Sequence, residues 1–121
     1  MRDADHAVLG QLSTAIQKTP RLSHAQIEEL FARRAHDHTA SKTLVDAHLG
    51  LVVVGVRPWL GHGIPAHDLV IEATIGLSRA IRAFDAPEGT SFEDYAAPWI
   101  TQALVRLFEG RGLDVAEQPI G

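Results

Sequence analysis

The sequence predicts an all-α fold, a compact helical bundle of about five helices. Apolar residues recur three and four positions apart along most of the chain. No segment alternates polar and apolar residues between hairpin turns, so no strand pairing is expected. Two segments open on a serine with a polar residue three positions later, Ser23 with Gln26 and Ser91 with Asp94, the start signal of a capped helix. A chain of 121 residues is enough for one domain around one core.

A first helix is expected over His6 to Lys18, with Val8, Leu9, Leu12, Ala15 and Ile16 on one face. Thr19-Pro20 stops it, because the residue before a proline is pushed out of helical backbone angles. The second helix starts at Ser23, whose capping box with Gln26 is framed by Leu22 and Ile27 as a hydrophobic staple. It carries Ile27, Leu30, Phe31 and Ala35 inward and ends near His36-Asp37-His38.

The third helix is expected to begin near Thr39 to Ser41 and run through Leu44, Val45, Leu49, Val52, Val53 and Val56 as one element. It ends or kinks near Pro58, which lacks the amide hydrogen an interior position needs. Gly61-His62-Gly63 is turn chemistry. Pro65 suits the first turn of a fourth helix reaching Phe84, with Leu69, Val70, Ala73, Leu77 and Ile81 facing inward. After a loop at Asp85 to Gly89, a last helix runs from Ser91 to Gly110 with Tyr95, Trp99, Ile100, Ala103, Leu104 and Leu107. Residues 1–22 read as a lead-in helix to a single domain, and residues 113–121 as a loose tail.

Charge is unevenly distributed. Residues 1 to 87 carry 9 acidic and 9 basic side chains, whereas residues 88 to 121 carry 6 acidic against 2 basic, so the formal charge of −4 lies in the last third. A duplex-binding surface shows the reverse, since Lys and Arg must neutralise phosphates. There are no cysteines, which excludes disulfides and thiolate metal sites and fits a cytoplasmic location. Leu49 to Val56, the most apolar stretch, is too short to span a bilayer, and a soluble protein is expected.

Seven histidines suggest a metal at first sight, but His36 and His38 fall in a turn, and His62 and His67 straddle a loop with only Asp68 nearby. No set of three or four converging ligands is apparent, and no metal or cofactor is expected. With no strand there is no phosphate loop, and no nucleophile–base arrangement is evident, so an enzyme is not expected.

Several motifs stand in a fixed order. Leu44-Val45-Asp46-Ala47-His48-Leu49-Gly50-Leu51-Val52 is followed by Gly61-His62-Gly63, Asp68-Leu69, Thr74-Ile75-Gly76-Leu77, Tyr95-Ala96-Ala97-Pro98-Trp99-Ile100, and then Arg106, Phe108, Arg111 and Gly112. This order resembles the second conserved region of bacterial RNA polymerase sigma factors: L-(I/V)-x-A-N-L-x-L-V, G-R-G-x-x-x-x-D-L, G-T-I-G-L, Y-A-T-P-x-I and K-R-x-F-x-D-x-G. The Tyr-Ala-x-Pro form is similar to the stress-response, sporulation and flagellar branch.

The resemblance implies a face that docks on the clamp helices of the largest polymerase subunit, here Asp68, Leu69, Ile71, Glu72 and Arg79. It departs from the family in having Ile71 for Gln, Ala73 for Gly and Ser78 for an aliphatic residue. The resemblance also implies an interface with the melted non-template strand at Phe92, Tyr95, Trp99, Gln102 and Arg106, where stacking contributes about 1–3 kcal/mol per base. The family's Phe-Ser-Thr-Tyr is Phe92-Glu93-Asp94-Tyr95, and two of its basic positions are Val105 and Glu109. Weakened promoter DNA binding is expected. For Tyr95 and Trp99, core packing and base stacking both remain open.

Three function classes follow: an initiation module that binds core polymerase and promoter DNA; a derived module that binds polymerase or an anti-sigma-type regulator without melting DNA; and a packed helical domain whose ancestral role is lost. The family's next conserved region would begin where this sequence stops, at Gly121. An excised piece favours the first class, and a whole protein the second.

Overall fold

Six α-helices and one 3₁₀ turn make up the described residues, 3–85 and 89–113, of the computed structural model: α1 Asp3–Lys18, α2 His24–Arg33, α3 His38–Ala47, α4 Leu49–Val56, the 3₁₀ turn Arg57–Trp59, α5 Ala66–Ala83 and α6 Phe92–Gly110. Their starts follow the local chemistry. The Ser23 hydroxyl accepts from the Gln26 amide at 3.1 Å while the Ser23 amide donates to Gln26 Oε1 at 2.7 Å, a closed capping box. Asp37 caps α3 by accepting from the amides of Thr39 and Ala40, and Ser91 caps α6 by accepting from that of Asp94.

The single third helix expected from the sequence is two helices that meet at His48 with a 50° bend. In an unbroken helix the Leu44 carbonyl would accept from the His48 amide. Here the His48 imidazole Nδ1 donates to that carbonyl at 2.8 Å, and the backbone amide turns to Val45 O. The side chain has taken the place of a helical hydrogen bond, which frees the chain to change direction. Pro58 sits in the 3₁₀ turn that follows α4, where Trp59 is swung inward onto Phe108, with ring centroids 4.9 Å apart.

α5 and α6 form the centre of the bundle. They cross at Gly76, where a Cβ would lie 2.9 Å from the Trp99 carbonyl oxygen and 3.2 Å from the Ile100 Cα, so only glycine permits this approach. α4 approaches α6 at Gly55, whose Cβ would meet the Ile100 side chain. Around these crossings Leu44, Val52, Val56, Leu69, Leu77, Ile81, Ile100, Leu104 and Phe108 are fully buried. α2 and α3 cover one end of the core and α1 lies along α4 and α5.

Contacts between distant residues close the ends of α5. Its first amide, on Ala66, donates at 2.9 Å to the buried carboxylate of Asp5 in α1, so a residue 61 positions away supplies the cap that Pro65 cannot. At the other end, the Ala83 carbonyl accepts from the Tyr95 hydroxyl and the Phe84 carbonyl from the Arg34 guanidinium.

The end of α6 corrects the expected loose tail at its first residue. Gly112 has φ +73°, and the Leu113 amide donates to Phe108 O while the Gly112 amide donates to Glu109 O, which is a Schellman motif. Leu113 is half-buried against the core and rests on Gly63. Residues 114–121, the rest of the expected tail, lie outside the described residues. No single described helix is long and apolar enough to cross a membrane.

Candidate protein-binding and nucleic-acid-binding faces

The outward side of α5 carries the residues expected to meet a protein partner, with one exception. Ile71 is 46% exposed and Ile75, one turn later, 38%; Glu72 is half-buried and Arg79 exposed. Side chains four apart stand one above the other on a helix, so the two isoleucines form a continuous apolar strip with charged residues beside it. The expected surface position of Leu69 is corrected. It is fully buried, because its place in the repeat of Ala66, Leu69, Ala73, Leu77 and Ala80 points at α6 and the core. Leu69 holds the face from beneath.

Asp68, in the first turn of α5, is engaged. Its Oδ2 accepts from Arg111 Nη2 at 2.9 Å, with a third of the Asp68 side chain and nearly half of the Arg111 side chain still exposed. Sequence reading placed Arg111 only as part of a terminal motif, and nothing local to either residue signals a contact across 43 positions.

On α6, Tyr95, Trp99, Gln102 and Arg106 follow at spacings of four, three and four residues, which aligns them on one helical stripe. Gln102 and Arg106 are exposed, while Tyr95 and Trp99 are half-buried. Phe92 begins the same stripe but is buried among Phe31, Phe84 and His48, with centroids 4.8–5.2 Å away. The expectation that Phe92 stands at the surface as a stacking platform is therefore corrected: its ring fills the junction of α2, the α3–α4 bend and α6. Tyr95 packs between Phe84 and Trp99, and its hydroxyl caps α5.

Of the acidic residues on α6, Glu109 borders this stripe, whereas Glu93 and Asp94 project from other sides of the helix. Glu93, Asp94 and Glu109 are exposed on α6, and among the described residues no carboxylate lies within 4.0 Å of Arg106. Beside the start of α6 a cleft of about 1030 Å³ opens between α2, the α3–α4 bend and the loop before α6. Its charged lining residues include Arg21, Glu28, Asp46 and Glu93. Glu93 Oε1 lies 4.0 Å from His48 Nε2. Among the described residues no three His, Asp or Glu side chains converge as a metal site would require.

Comparison with known proteins agrees with this architecture. The family model of sigma-70 region 2 matches residues 44–112, from the last turn of α3 to Gly112. The chain is similar to the RNA polymerase sigma factor RpoS of Coxiella burnetii, 39% identical over 87 residues. It is 38% identical over 92 residues to the RNA polymerase sigma factor SigA of Clostridium acetobutylicum, and 39% over 82 residues to the RNA polymerase principal sigma factor HrdD of Streptomyces griseus. These matches cover 70%, 75% and 68% of this chain but 25%, 24% and 25% of the relatives, so the chain spans about a quarter of their length. An all-helical fold with the family's motifs on α3 to α6, and a family match over more than half of the sequence, lead to one conclusion: this chain belongs to the sigma-70 region 2 family.

Proposed function

We propose that the chain is a sigma-type transcription module that binds core RNA polymerase through α5, with promoter DNA binding weakened or lost. The observation that carries the binding half is the exposed strip of Ile71 and Ile75, flanked by Asp68, Glu72 and Arg79. Helix stability does not ask for aliphatic residues on an outward face, and a partner that covers them recovers their burial. In the family this segment docks on the clamp helices of the largest polymerase subunit, and we read α5 in the same way. Ile71 then supplies an apolar contact where the family has a polar one. Such a module acts in the cytoplasm, alongside polymerase, by binding and without catalysis.

The weakened DNA half rests on α6. Trp99, Gln102 and Arg106 keep a stripe that single-stranded DNA could use, but Glu93, Asp94 and Glu109 stand on the same helix and repel phosphate. The same acidic surface favours a second reading, a sigma-derived module that binds an anti-sigma-type regulator without melting a promoter.

The test is direct binding of the labelled chain to core polymerase. Ile71→Glu is expected to weaken binding about tenfold or more, since full burial of an isoleucine contributes about 1.5–3 kcal/mol. Its unfolding midpoint should stay close to that of the parent, as for most surface changes. Absence of binding by the parent chain, or equal binding by the variant, overturns the polymerase reading.

A further inference from the structure

We propose that Arg111 sets how tightly the α5 face binds its partner, by competing with that partner for the carboxylate of Asp68. The inference rests on the reading of α5 as a polymerase-binding face. Asp68 begins that face, one turn before Ile71 and beside Glu72, and the guanidinium of Arg111 holds its Oδ2 at 2.9 Å. The contact belongs to the surface of the molecule: both side chains keep a third to a half of their exposure.

The fold delivers Arg111 to this place. Arg111 is the C-cap residue of α6, with its amide donating back to Leu107 O and Phe108 O. The next two residues complete the Schellman turn and seat Leu113 on Gly63, in the loop leading to α5. The backbone at 111 is therefore anchored on both sides, and the side chain has only to extend along the first turn of α5. Asp68 itself gains little from the pair in folding terms, since a carboxylate in a helix's first turn is already favoured by the helix dipole.

The consequence for binding is competition. A partner that presents a cation or an amide donor to Asp68 must displace the guanidinium or share the carboxylate with it. Until then Arg111 offsets the negative charge of Asp68 and reduces electrostatic attraction of a basic partner. Arg111 is a positioning residue in this scheme, acting through Asp68.

A double-mutant cycle tests the inference, with binding of the 121-residue chain to core polymerase followed by fluorescence anisotropy. Arg111→Gln is expected to bind about two- to fivefold more tightly, the factor that corresponds to the strength of an exposed ion pair. Arg111→Lys, which keeps the charge, should return most of the way to the parent affinity. In an Asp68→Asn background Arg111→Gln should have no effect, which separates competition for the carboxylate from a general change in charge. Thermal unfolding of each variant accompanies the cycle, and a gain in affinity at unchanged midpoint supports the inference. Equal or weaker binding by Arg111→Gln overturns it, as does a gain that persists with Asp68→Asn. If the parent chain does not bind core polymerase under conditions where a full-length sigma factor does, the polymerase reading itself fails and the competition fails with it.

Discussion

α5 and α6 are helices of 18 and 19 residues that meet at Gly76, yet their outward sides are explained to different degrees by the fold. The acidic residues at the start of α6 have a structural reason: Glu93 and Asp94 lie in a first turn, where the helix dipole favours negative charge. Tyr95 has another, since its hydroxyl caps α5. On α5, Ile71 and Ile75 have none. They face solvent, cap nothing and stand opposite the buried side that holds the helix in place. Residues that folding does not require are the stronger evidence for binding, and by that measure α5 is the better-supported face.

The sharpest way to break this comparison is to exchange the roles of neighbouring residues on α5. If Leu69 is a support and not part of the surface, Leu69→Ala should destabilise the domain by about 2–5 kcal/mol, the usual cost of a cavity in a packed core. Urea unfolding monitored by circular dichroism reads this directly. A loss under 1 kcal/mol would mean that Leu69 is accessible and that the α5 face has been drawn too narrowly.

That distinction was legible in the sequence only in part. The helical repeat already assigned Leu69 inward, while family resemblance assigned it to the face, and sequence offers no way to choose between a side chain that touches a partner and one that supports its neighbour. Local signals read well: Ser23 with Gln26, Ser91 and the glycine near the end of α6 all mark real helix ends. Signals that depend on distant residues did not. Asp5 capping α5, Arg34 closing its far end and Arg111 gripping Asp68 each join residues at least 43 positions apart. His48 was invisible for a different reason. The apolar run continues through it, and only its side chain's hydrogen bond to Leu44 O reveals the bend.

The crossing at Gly76 offers a smaller but cleaner test. A methyl group there would press on backbone atoms of α6, which cannot rotate away, and overpacking of this kind costs about 1–3 kcal/mol. The gain in helix propensity from glycine to alanine offsets up to about 1 kcal/mol of that. Gly76→Ala should therefore be destabilising, whereas Gly10→Ala in α1, where nothing lies within 4 Å of the new Cβ, should raise stability by about 0.5–1 kcal/mol. A pair of melting curves checks the contrast. If both substitutions stabilise, α5 and α6 are not in the tight contact that fixes their outward faces relative to each other.

The smallest expected effect on folding falls on α6, and there stability and function should move in opposite directions. Replacing Glu93 with Ser and Asp94 with Thr removes two charges that the helix dipole favours, at about 0.3–1 kcal/mol each, and the Ser91 cap remains to hold the helix start. Adding Glu109→Arg places a cation in the last turn, where the same dipole favours it and recovers part of that loss. The net change in stability should thus be under about 2 kcal/mol, and the domain should remain folded. For single-stranded DNA the balance is different. Trp99 keeps one half-exposed ring for stacking, about 1–3 kcal/mol for one base, while three carboxylates on the same helix oppose the strand's phosphates. The parent domain should show weak or undetectable binding to a labelled promoter-like oligonucleotide at physiological salt, and the triple variant should bind more tightly with a steeper salt dependence, since it removes three repelling carboxylates and adds one cation whose phosphate contact releases counterions. Tight, sequence-selective binding by the parent chain would mean that Trp99, Gln102 and Arg106 suffice as they stand, and the α6 stripe would then rank with α5 as a proposed binding face.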